Sequence, residues 1–275
     1  MPFIYVRGKR IFFESIGSGM PVVLVHGAGQ DTASWRYNVE SLAGSRRVVA
    51  LDLPGHGKSE VFFPPLTSTD DFAGYVEGFI KELNLSRPVL VGHSMGAGIC
   101  LTVALRCGEK IGGVVAVDGA DKITGVFGEE IHEAYLDASL ELMLEMSMEG
   151  FRALCSRLTQ PNRVEEIVQD LLRIHPRVTA ADTQAFNTFD MSGQVREISV
   201  PVLLISGADD FLVTPEMVRS TAARITGSKV VILDGVGHFP HTESPERFNR
   251  EVGEFLASLE LENGRSPRKA RPEGC

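Results

Sequence analysis

Cysteine is scarce in this sequence and follows no pattern that would hold a metal or a disulfide framework. The 275 residues contain four cysteines, and none of them forms a CxxC pair: Cys100, Cys107, Cys155 and Cys275. Disulfide-rich secreted scaffolds and thiolate metal sites place cysteines at short, regular spacings. We therefore expect no structural disulfide and no metal cofactor, and the simplest location is the reducing cytoplasm.

An excess of positive charge is also absent. Lys and Arg number 27 against 36 Asp and Glu, which gives a formal net charge of −9. Four basic residues are concentrated near the C-terminus: Arg265, Arg268, Lys269 and Arg271. Because binding to a phosphate backbone needs clustered cations, the acidic remainder argues against nucleic acid as a partner.

Long apolar runs are missing as well. A membrane span needs roughly 18 predominantly apolar residues, and no uncharged stretch approaches that length. The first 14 residues carry Arg7, Lys9 and Arg10, and they lack the apolar core and cleavage site of a secretory signal. Hydrophobic residues make up 43% of the chain and charged residues 23%, so we expect a globular protein with no membrane span.

Short hydrophobic segments recur along the chain without alternating with polar residues. The clearest are VVLV (22–25), RVVALD (47–52), PVLVG (88–92), GVVAVD (113–118), PVLLIS (201–206) and KVVILD (229–234). Continuous runs of this kind are typical of parallel strands that are covered on both faces. A hairpin around Gly8 is predicted before them, and helices are predicted at 33–43, 70–84, after Ser94 and at 246–259. The pattern predicts an α/β protein with a mostly parallel central sheet flanked by helices.

One long interval between two predicted strands interrupts this alternation. Its apolar residues recur near a period of 3.6, which predicts helices at 129–158, 163–174 and 179–189. The expected organisation is a core of 1–120 and 198–262, a helical cap of 121–197, and a disordered tail of 263–275.

The segment Gly92-His93-Ser94-Met95-Gly96 fits the pattern G-x-S-x-G and lies between a predicted strand and a predicted helix. A serine on such a sharp turn projects above the sheet, and the glycines allow neighbouring backbone to pack closely. The amino end of the helix lies where negative charge would develop. A turn serine beside glycines is the simpler alternative, but the flanking strand and helix favour Ser94 as a nucleophile.

Seven histidines could supply the base that a serine nucleophile requires. Five of them lie in glycine motifs, in a turn or on predicted cap helices: His26, His93, His56, His132 and His175. His238 follows the last predicted strand at the same sheet edge as Ser94. His241 lies three residues further on, where a capping or surface role is expected, and a metal site formed by these two histidines lacks a third ligand.

Three aspartates could orient the histidine. Asp209 and Asp210 end the segment ISGADD after one predicted strand, and Asp118 ends the strand GVVAVD. All three lie at carboxyl ends of strands, so the pattern alone leaves the choice of acid open.

Taken together, the motifs resemble the α/β-hydrolase superfamily, in its branch of serine hydrolases that carry a cap. The matching pieces are His26-Gly27-Ala28-Gly29, Asp52 to Ser59, Gly92 to Gly96, Gly207 to Asp210, and Gly237-His238 followed by Glu243-Ser244-Pro245. The resemblance implies a triad of Ser94, Asp210 and His238, with an oxyanion hole formed by the backbone N–H groups of Ala28 and Met95. Some members place the acid one strand earlier, which keeps Asp118 as an alternative.

Two other motifs imitate cofactor sites. Gly57-Lys58-Ser59 resembles the end of a phosphate-binding loop, but Asp52 stands where its first glycine belongs. Gly27-Ala28-Gly29 resembles part of a dinucleotide-binding motif, but Thr32 replaces the third glycine. We therefore expect no organic cofactor.

The expected function is hydrolysis of a carboxylic ester or a related acyl bond through an acyl-enzyme. Alternatives are carbon–carbon bond hydrolysis, another acyl transfer on the same fold, or a non-catalytic protein that binds a ligand in the same pocket. The predicted cap contains three methionines and three arginines that could contact a substrate: Met143, Met146, Met148, Arg152, Arg157 and Arg163. Since the methionines are apolar and adaptable, we expect a neutral, moderately apolar small-molecule substrate.

Overall fold

A single eight-stranded sheet organises the chain, whose computed structural model describes residues 2–123 and 137–265. The strands are β1 (Phe3–Val6), β2 (Lys9–Gly17), β3 (Met20–Val25), β4 (Arg46–Leu51), β5 (Val89–His93), β6 (Gly113–Val117), β7 (Val202–Gly207) and β8 (Lys229–Leu233). Their order across the sheet is β1-β2-β4-β3-β5-β6-β7-β8. Strands β1, β2 and β4 pair antiparallel, and all pairs from β4 to β8 are parallel. The predicted mostly parallel sheet is confirmed.

Helices cover both faces of this sheet. Those in the described part of the chain are α1 (Val39–Ala43), α2 (Thr69–Glu82), α3 (Met95–Cys107), α4 (Leu140–Leu154), α5 (Pro161–Leu171), α6 (Pro176–Asn187), α7 (Pro215–Ala222), α8 (Pro240–Glu243) and α9 (Pro245–Arg265). The helix predicted at 33–43 is divided into a 3₁₀ turn at Thr32–Trp35 and the short α1. The sequence analysis did not predict α7, although the Thr214 side chain caps it by accepting from the Met217 N–H.

Alternate residues of each central strand enter two different cores, which explains why the strands are apolar throughout. In β3, Val23 and Val25 pack in one core, and Val22 and Leu24 pack in the other. The first core receives aromatic side chains from α2, and the second contains Trp35 together with side chains from α9. Full burial of one such aliphatic side chain contributes about 1.5–3 kcal/mol. The well-packed sheet therefore supports the loops at its carboxyl edge.

Helices α4, α5 and α6 lie between β6 and β7, and we call residues 137–197 the helical insertion. The helix predicted at 129–158 falls outside the described residues before 137. Within the described residues, helix α4 begins at Leu140, where the Ser139 side chain accepts the Leu142 N–H and caps the helix. It ends at Leu154 because Cys155 is extended. Helices α5 and α6 begin a few residues earlier than predicted, since a proline occupies the first turn of each.

The last helix is longer than predicted. Helix α9 continues to Arg265 instead of ending near 259, so residues 263–265, expected to be disordered, are helical. The rest of the predicted tail, 266–275, lies outside the described residues. Across the part of the chain that is described, no helix combines the length and the apolar character needed to cross a membrane.

Candidate active site

The strand-to-helix turn at Ser94 has a backbone that few residues adopt. Ser94 has φ 52° and ψ −116° between β5 and α3. A Cβ on Gly92 would lie 2.2 Å from the Gly96 oxygen, and one on Gly96 would lie 2.4 Å from the Val25 oxygen. Only glycine fits at either position, so both glycines of the motif are required by the close packing. The strained turn places the serine hydroxyl at the carboxyl edge of the sheet.

Three side chains from separate loops meet at this edge. The Ser94 Oγ lies 3.0 Å from Nε2 of His238, and Nδ1 of His238 lies 2.7 Å from Oδ2 of Asp210. The other Asp210 oxygen accepts the backbone N–H groups of Leu212 and Val213. Burial opposes ionisation of Asp210, but the facing His238 and these hydrogen bonds lower its pKa. Asp210 is thus a carboxylate that can orient the imidazole and stabilise its cation.

The two competing aspartates take other positions. Asp209 is exposed and accepts a hydrogen bond from the hydroxyl of Ser156 in the helical insertion. Asp118 is fully buried, and its Oδ1 accepts the N–H of Gly207 at 3.1 Å. Burial and then the negative charge of Asp210 raise the pKa of Asp118 well above its usual value. Asp118 is therefore a buried acid beside Asp210, and among the described residues no hydrogen bond joins it to His238.

Two backbone N–H groups, those of Ala28 and Met95, lie on the segments beside the serine. Among the described residues, no hydrogen bond uses the N–H of Ala28 or that of Met95. The residues around Ala28 are held, because the Gly27 N–H donates to Gln30 Oε1 at 2.9 Å and the Gly29 N–H donates to an aspartate of α6 at 3.0 Å. Met95 is the first residue of α3, where helical N–H groups lack an intrahelical acceptor. Both groups can therefore donate to a negative oxygen.

Hydrogen bonds within the fold occupy the rings of His26 and His93. The Leu53 N–H donates to Nε2 of His26 at 2.9 Å, and Nδ1 of His26 donates to the Gly27 oxygen. His93 lies between the Gln30 side chain (2.8 Å) and the backbone oxygen of His238 (2.7 Å). The second residue of the serine motif thus joins the loop of Ala28 to the loop of His238.

The expectation of a capping or surface role for His241 is wrong. Its ring is completely buried, with centroids 4.6 Å from Trp35 and 4.5 Å from His93. Neither of its nitrogens has a hydrogen-bond partner among the residues that the structure describes. Burial lowers the pKa of His241 to about 3, so the ring is neutral. The physical reason is the short helix α8, which turns this residue inward against the 3₁₀ turn at Thr32–Trp35.

Potential metal ligands also lie near the serine. Ligand atoms of His93, Asp118 and His238 all lie within 4.8 Å of one another. The ring nitrogens of both histidines already face hydrogen-bond partners, and Asp118 accepts the Gly207 N–H. The arrangement is therefore a hydrogen-bond network and not an open set of ligands.

Glu243 is a site residue to which the sequence analysis assigned no role. Its carboxylate accepts the N–H groups on both sides of His238, from Gly237 at 3.0 Å and Phe239 at 2.9 Å. It also accepts the Ser156 N–H at 2.9 Å and the hydroxyl of Thr159. One carboxylate thus joins the loop of the histidine to the helical insertion. Its role could have been suspected from the sequence, because Glu243 belongs to the segment Glu243-Ser244-Pro245 that matches the family.

Apolar side chains of the insertion surround Gly29, next to Ala28. A Cβ built on Gly29 would lie 2.8 Å from Leu171, 3.2 Å from Phe151 and 3.3 Å from Thr179. The Phe151 ring also lies 5.4 Å from that of Phe239, the neighbour of His238. Helices α4, α5 and α6 therefore converge on the loop that follows β3.

The arginines considered as anion-binding residues have other contacts. Arg152 pairs with Glu149 and Glu165. Arg163 lies over the Tyr37 ring at 3.6 Å and also faces a glutamate of α5. The remaining candidate, Arg157, is exposed. Arg152 and Arg163 therefore each already face a carboxylate of the insertion, while one Arg163 nitrogen has no hydrogen-bond partner among the described residues.

Comparison with known proteins places this geometry in a family. The sequence profile of the alpha/beta hydrolase family matches residues 22–251. A 2-hydroxy-6-oxononadienedioate/2-hydroxy-6-oxononatrienedioate hydrolase of Burkholderia vietnamiensis is 29% identical, over 90% of this chain and 91% of that protein. The dihydrolipoyllysine-residue acetyltransferase component of an acetoin cleaving system from Pseudomonas putida is 26% identical, over 91% of this chain and 68% of that protein.

Solved structures share the same architecture. An enol-lactonase from Burkholderia xenovorans superposes with a TM-score of 0.84 at 24% identity, covering 93% of this chain and 100% of the other. At that identity the similarity establishes the fold alone. A thermophilic esterase from Thermogutta terrifontis superposes with a TM-score of 0.81 at 26% identity, covering 94% of this chain and 97% of the other.

Proposed function

The chain belongs to the alpha/beta hydrolase family, and from this premise we propose that it cleaves a carboxylic ester or a closely related acyl bond through a serine acyl-enzyme. The observation that carries the proposal is the continuous hydrogen-bond chain from Ser94 through His238 to Asp210. A serine hydroxyl is a weak nucleophile until an adjacent base takes its proton. In this hydrogen-bond network, His238 is the base and Asp210 is the carboxylate that holds it.

In the proposed acylation step, the Ser94 oxygen attacks the substrate carbonyl while its proton moves to Nε2 of His238. The imidazolium that forms is stabilised by Asp210 at Nδ1. The N–H groups of Ala28 and Met95 donate to the oxyanion. Loss of one such donor typically costs on the order of 10²–10³ in turnover. The protonated histidine then gives its proton to the leaving alcohol, and the acyl group stays on the serine.

Deacylation repeats the same steps with water as the nucleophile. His238 takes a proton from the water, the oxyanion forms again beside Ala28 and Met95, and the Ser94 oxygen leaves with the returned proton. The acid product is then released, and Ser94 and His238 return to their starting protonation states.

Neutral, moderately apolar substrates fit the surroundings best. The side chains that approach the loop of Ala28 include Phe151 and Leu171, and Arg152 and Arg163 are already paired. The name of the Burkholderia vietnamiensis relative describes a dicarboxylate substrate. For this chain we propose a preference for neutral substrates, because Arg152 and Arg163 already face acidic side chains and are not free to bind a substrate carboxylate.

Carbon–carbon bond hydrolysis is a second candidate. Its support is the 29% identity to that dienedioate/trienedioate hydrolase over nearly the full length of both chains. The same serine, histidine and N–H groups would serve that reaction, so product analysis is needed. Ester turnover without cleavage of a vinylogous diketone favours the first proposal, and the reverse result favours the second.

The proposed nucleophile is tested by labelling and substitution. We expect a fluorophosphonate to label Ser94, whereas Ser94→Ala and His238→Ala should abolish labelling. Ser94→Ala should lower ester turnover by on the order of 10⁶ while leaving the melting temperature nearly unchanged. Ser220→Ala, at an exposed serine of α7, is the matched control. Hydrolysis by Ser94→Ala near the unsubstituted level would overturn the assignment, and failure of the fluorophosphonate to label Ser94 would favour a binding protein.

A further inference from the structure

A second buried acid–base pair lies beside the proposed oxyanion hole. Asp182 of α6 and His56, in the loop after β4, both have fully buried side chains. The distance between His56 Nε2 and Asp182 Oδ2 is 2.7 Å, and the same oxygen accepts the Gly29 N–H at 3.0 Å. One carboxylate oxygen of the helical insertion thus contacts two different loops of the core.

Both ring nitrogens of His56 face oxygen acceptors. Its Nε2 faces the Asp182 carboxylate, and its Nδ1 faces the Pro54 backbone oxygen at 3.1 Å. Both partners are acceptors, and a neutral imidazole has only one N–H to donate. The two hydrogen bonds therefore exist together only when His56 is an imidazolium.

Two nearby histidines show the contrast. His26, with its ring 4.8 Å from that of His56, accepts the Leu53 N–H and so needs only one ring proton. His93 also faces two oxygen acceptors, but both belong to neutral amides, and burial lowers its pKa well below the usual value. Two acceptors are therefore not enough to charge a buried imidazole, and a neighbouring carboxylate is also needed. Of these three histidines, only His56 faces a carboxylate directly, and that negative charge compensates the cation.

The other groups packed around His56 agree with a charged ring. Asp52, in the same loop, adds a second negative charge, and the remaining neighbours are the neutral His26 ring and the Phe72 ring of α2. Burial opposes the cation, but Asp182 and its hydrogen bond more than compensate, and the pKa of His56 is raised. The pair is thus a fully buried contact in which the negative charge of Asp182 favours the imidazolium form of His56.

We propose that Asp182 is a positioning residue for the oxyanion hole, and that its ion pair with His56 anchors the helical insertion to the loop that carries Ala28. This inference rests on the proposed function. The Gly29 nitrogen belongs to the peptide that follows Ala28, so fixing it restricts the direction of the neighbouring Ala28 N–H. The imidazolium also neutralises a carboxylate that would otherwise repel an oxyanion formed nearby.

The pair has a defined pH dependence. Because the pKa of His56 is raised in the folded state, the stability that the pair contributes is complete below the ordinary histidine pKa of about 6.5. That contribution is lost as the pH rises through the folded-state pKa of His56. Turnover should fall over the same alkaline range, since the anchor of the Gly29 loop weakens.

The first test compares two aspartates of the helical insertion. Asp182→Asn keeps an acceptor for Gly29 but removes the charge, and we expect kcat to fall on the order of 10–100-fold with little change in KM, as small misplacements do. The alkaline decline of turnover due to His56 should also disappear. Asp190→Asn removes a charge that is exposed and paired with Lys122, so it should leave kcat and the pH profile unchanged.

The second test does not depend on activity. In the unsubstituted protein, nitrogen NMR of the histidine rings at neutral pH should show both nitrogens of His56 protonated, and in Asp182→Asn only one. If Asp182→Asn fails to fold, the double variant His56→Gln with Asp182→Asn restores a neutral hydrogen bond and should be more stable than His56→Gln alone. A neutral His56 in the unsubstituted protein, or Asp182→Asn with an unchanged pH profile, would overturn the proposal. Failure of fluorophosphonate labelling would refute the proposed function but leave the NMR result standing.

Discussion

The backbone N–H of His238 donates to the backbone oxygen of Leu154 across 2.9 Å. Leu154 is the last residue of α4, so the loop of the proposed base rests directly on the helical insertion. The neighbouring residue Gly237 also packs closely against this oxygen, since a Cβ on Gly237 would lie 2.4 Å from it. Together with the contact from Asp182 to Gly29, the insertion touches both the base and the oxyanion loop. Its position and the geometry of the site are therefore linked.

The choice among the three aspartates can be tested by amide substitution. Asp210→Asn should lower kcat by about 10⁴, because the histidine loses the carboxylate that sets its tautomer. Asp209→Asn should change kcat by no more than about threefold, since surface substitutions are usually mild. Asp118→Asn should act mainly on folding, because Asp118 is fully buried while Asp210 is the acid that faces His238, so turnover of the folded variant should be largely retained. If Asp118→Asn were inactive and Asp210→Asn active, the orienting acid would be Asp118, which follows the preceding strand of the sheet.

The carboxylate of Glu243 should contribute to stability and turnover together. Glu243→Gln keeps the size of the side chain but weakens hydrogen bonds from Gly237, Phe239 and Ser156. We expect a loss of about 1–3 kcal/mol in the free energy of unfolding, together with a fall in kcat as the histidine loop loosens. Glu246→Gln, at an exposed position of α9, is the control. Denaturant unfolding and steady-state kinetics on the same samples measure both effects, and an unchanged Glu243→Gln contradicts the assignment.

Substrate charge should matter. A neutral ester should be hydrolysed with a kcat/KM at least about tenfold above that of a carboxylated ester of the same shape, since burying an unpaired charge costs more than 1.4 kcal/mol. Arg157→Gln should leave this ratio unchanged, because Arg157 is exposed. A preference for the carboxylated ester that disappears in Arg157→Gln, Arg152→Gln or Arg163→Gln would identify a recognition residue and contradict the neutral-pocket proposal.

Gly29 should tolerate no side chain. Its φ is +64°, and a Cβ would approach the Leu171 side chain to 2.8 Å, so in Gly29→Ala the apolar side chains of the insertion or the loop of Ala28 must shift. Turnover should fall sharply, with a loss of stability. Gly108→Ala separates backbone strain from steric clash, because Gly108 also has a positive φ of +53° but has open space around it. That control should cost only about 1–2 kcal/mol and leave kcat intact. Equal kinetic effects in both variants would exclude a role for the packing at Gly29.

Much of the fold follows from local sequence pattern. Six apolar runs predicted the parallel strands, because the central strands are buried on both faces and every position there must be apolar. The edge strand β8 has the same apolar composition but is only partly buried. The turn at Ser94 could also be predicted from the sequence, because the flanking glycines are required by contacts within a few residues or with the adjacent strand. The position of His238 followed from its place directly after the last strand.

Only the tertiary structure decided which polar groups meet. Asp210, Asp209 and Asp118 are alike in sequence context, yet a single one of them faces His238. The contact between His56 and Asp182 spans 126 residues, and no periodic pattern marks either partner. The reason is physical: burial repeats with the period of a strand or helix, so it can be predicted locally. A hydrogen bond or ion pair instead depends on how the helical insertion packs on the sheet edge, and that packing is set by the whole chain.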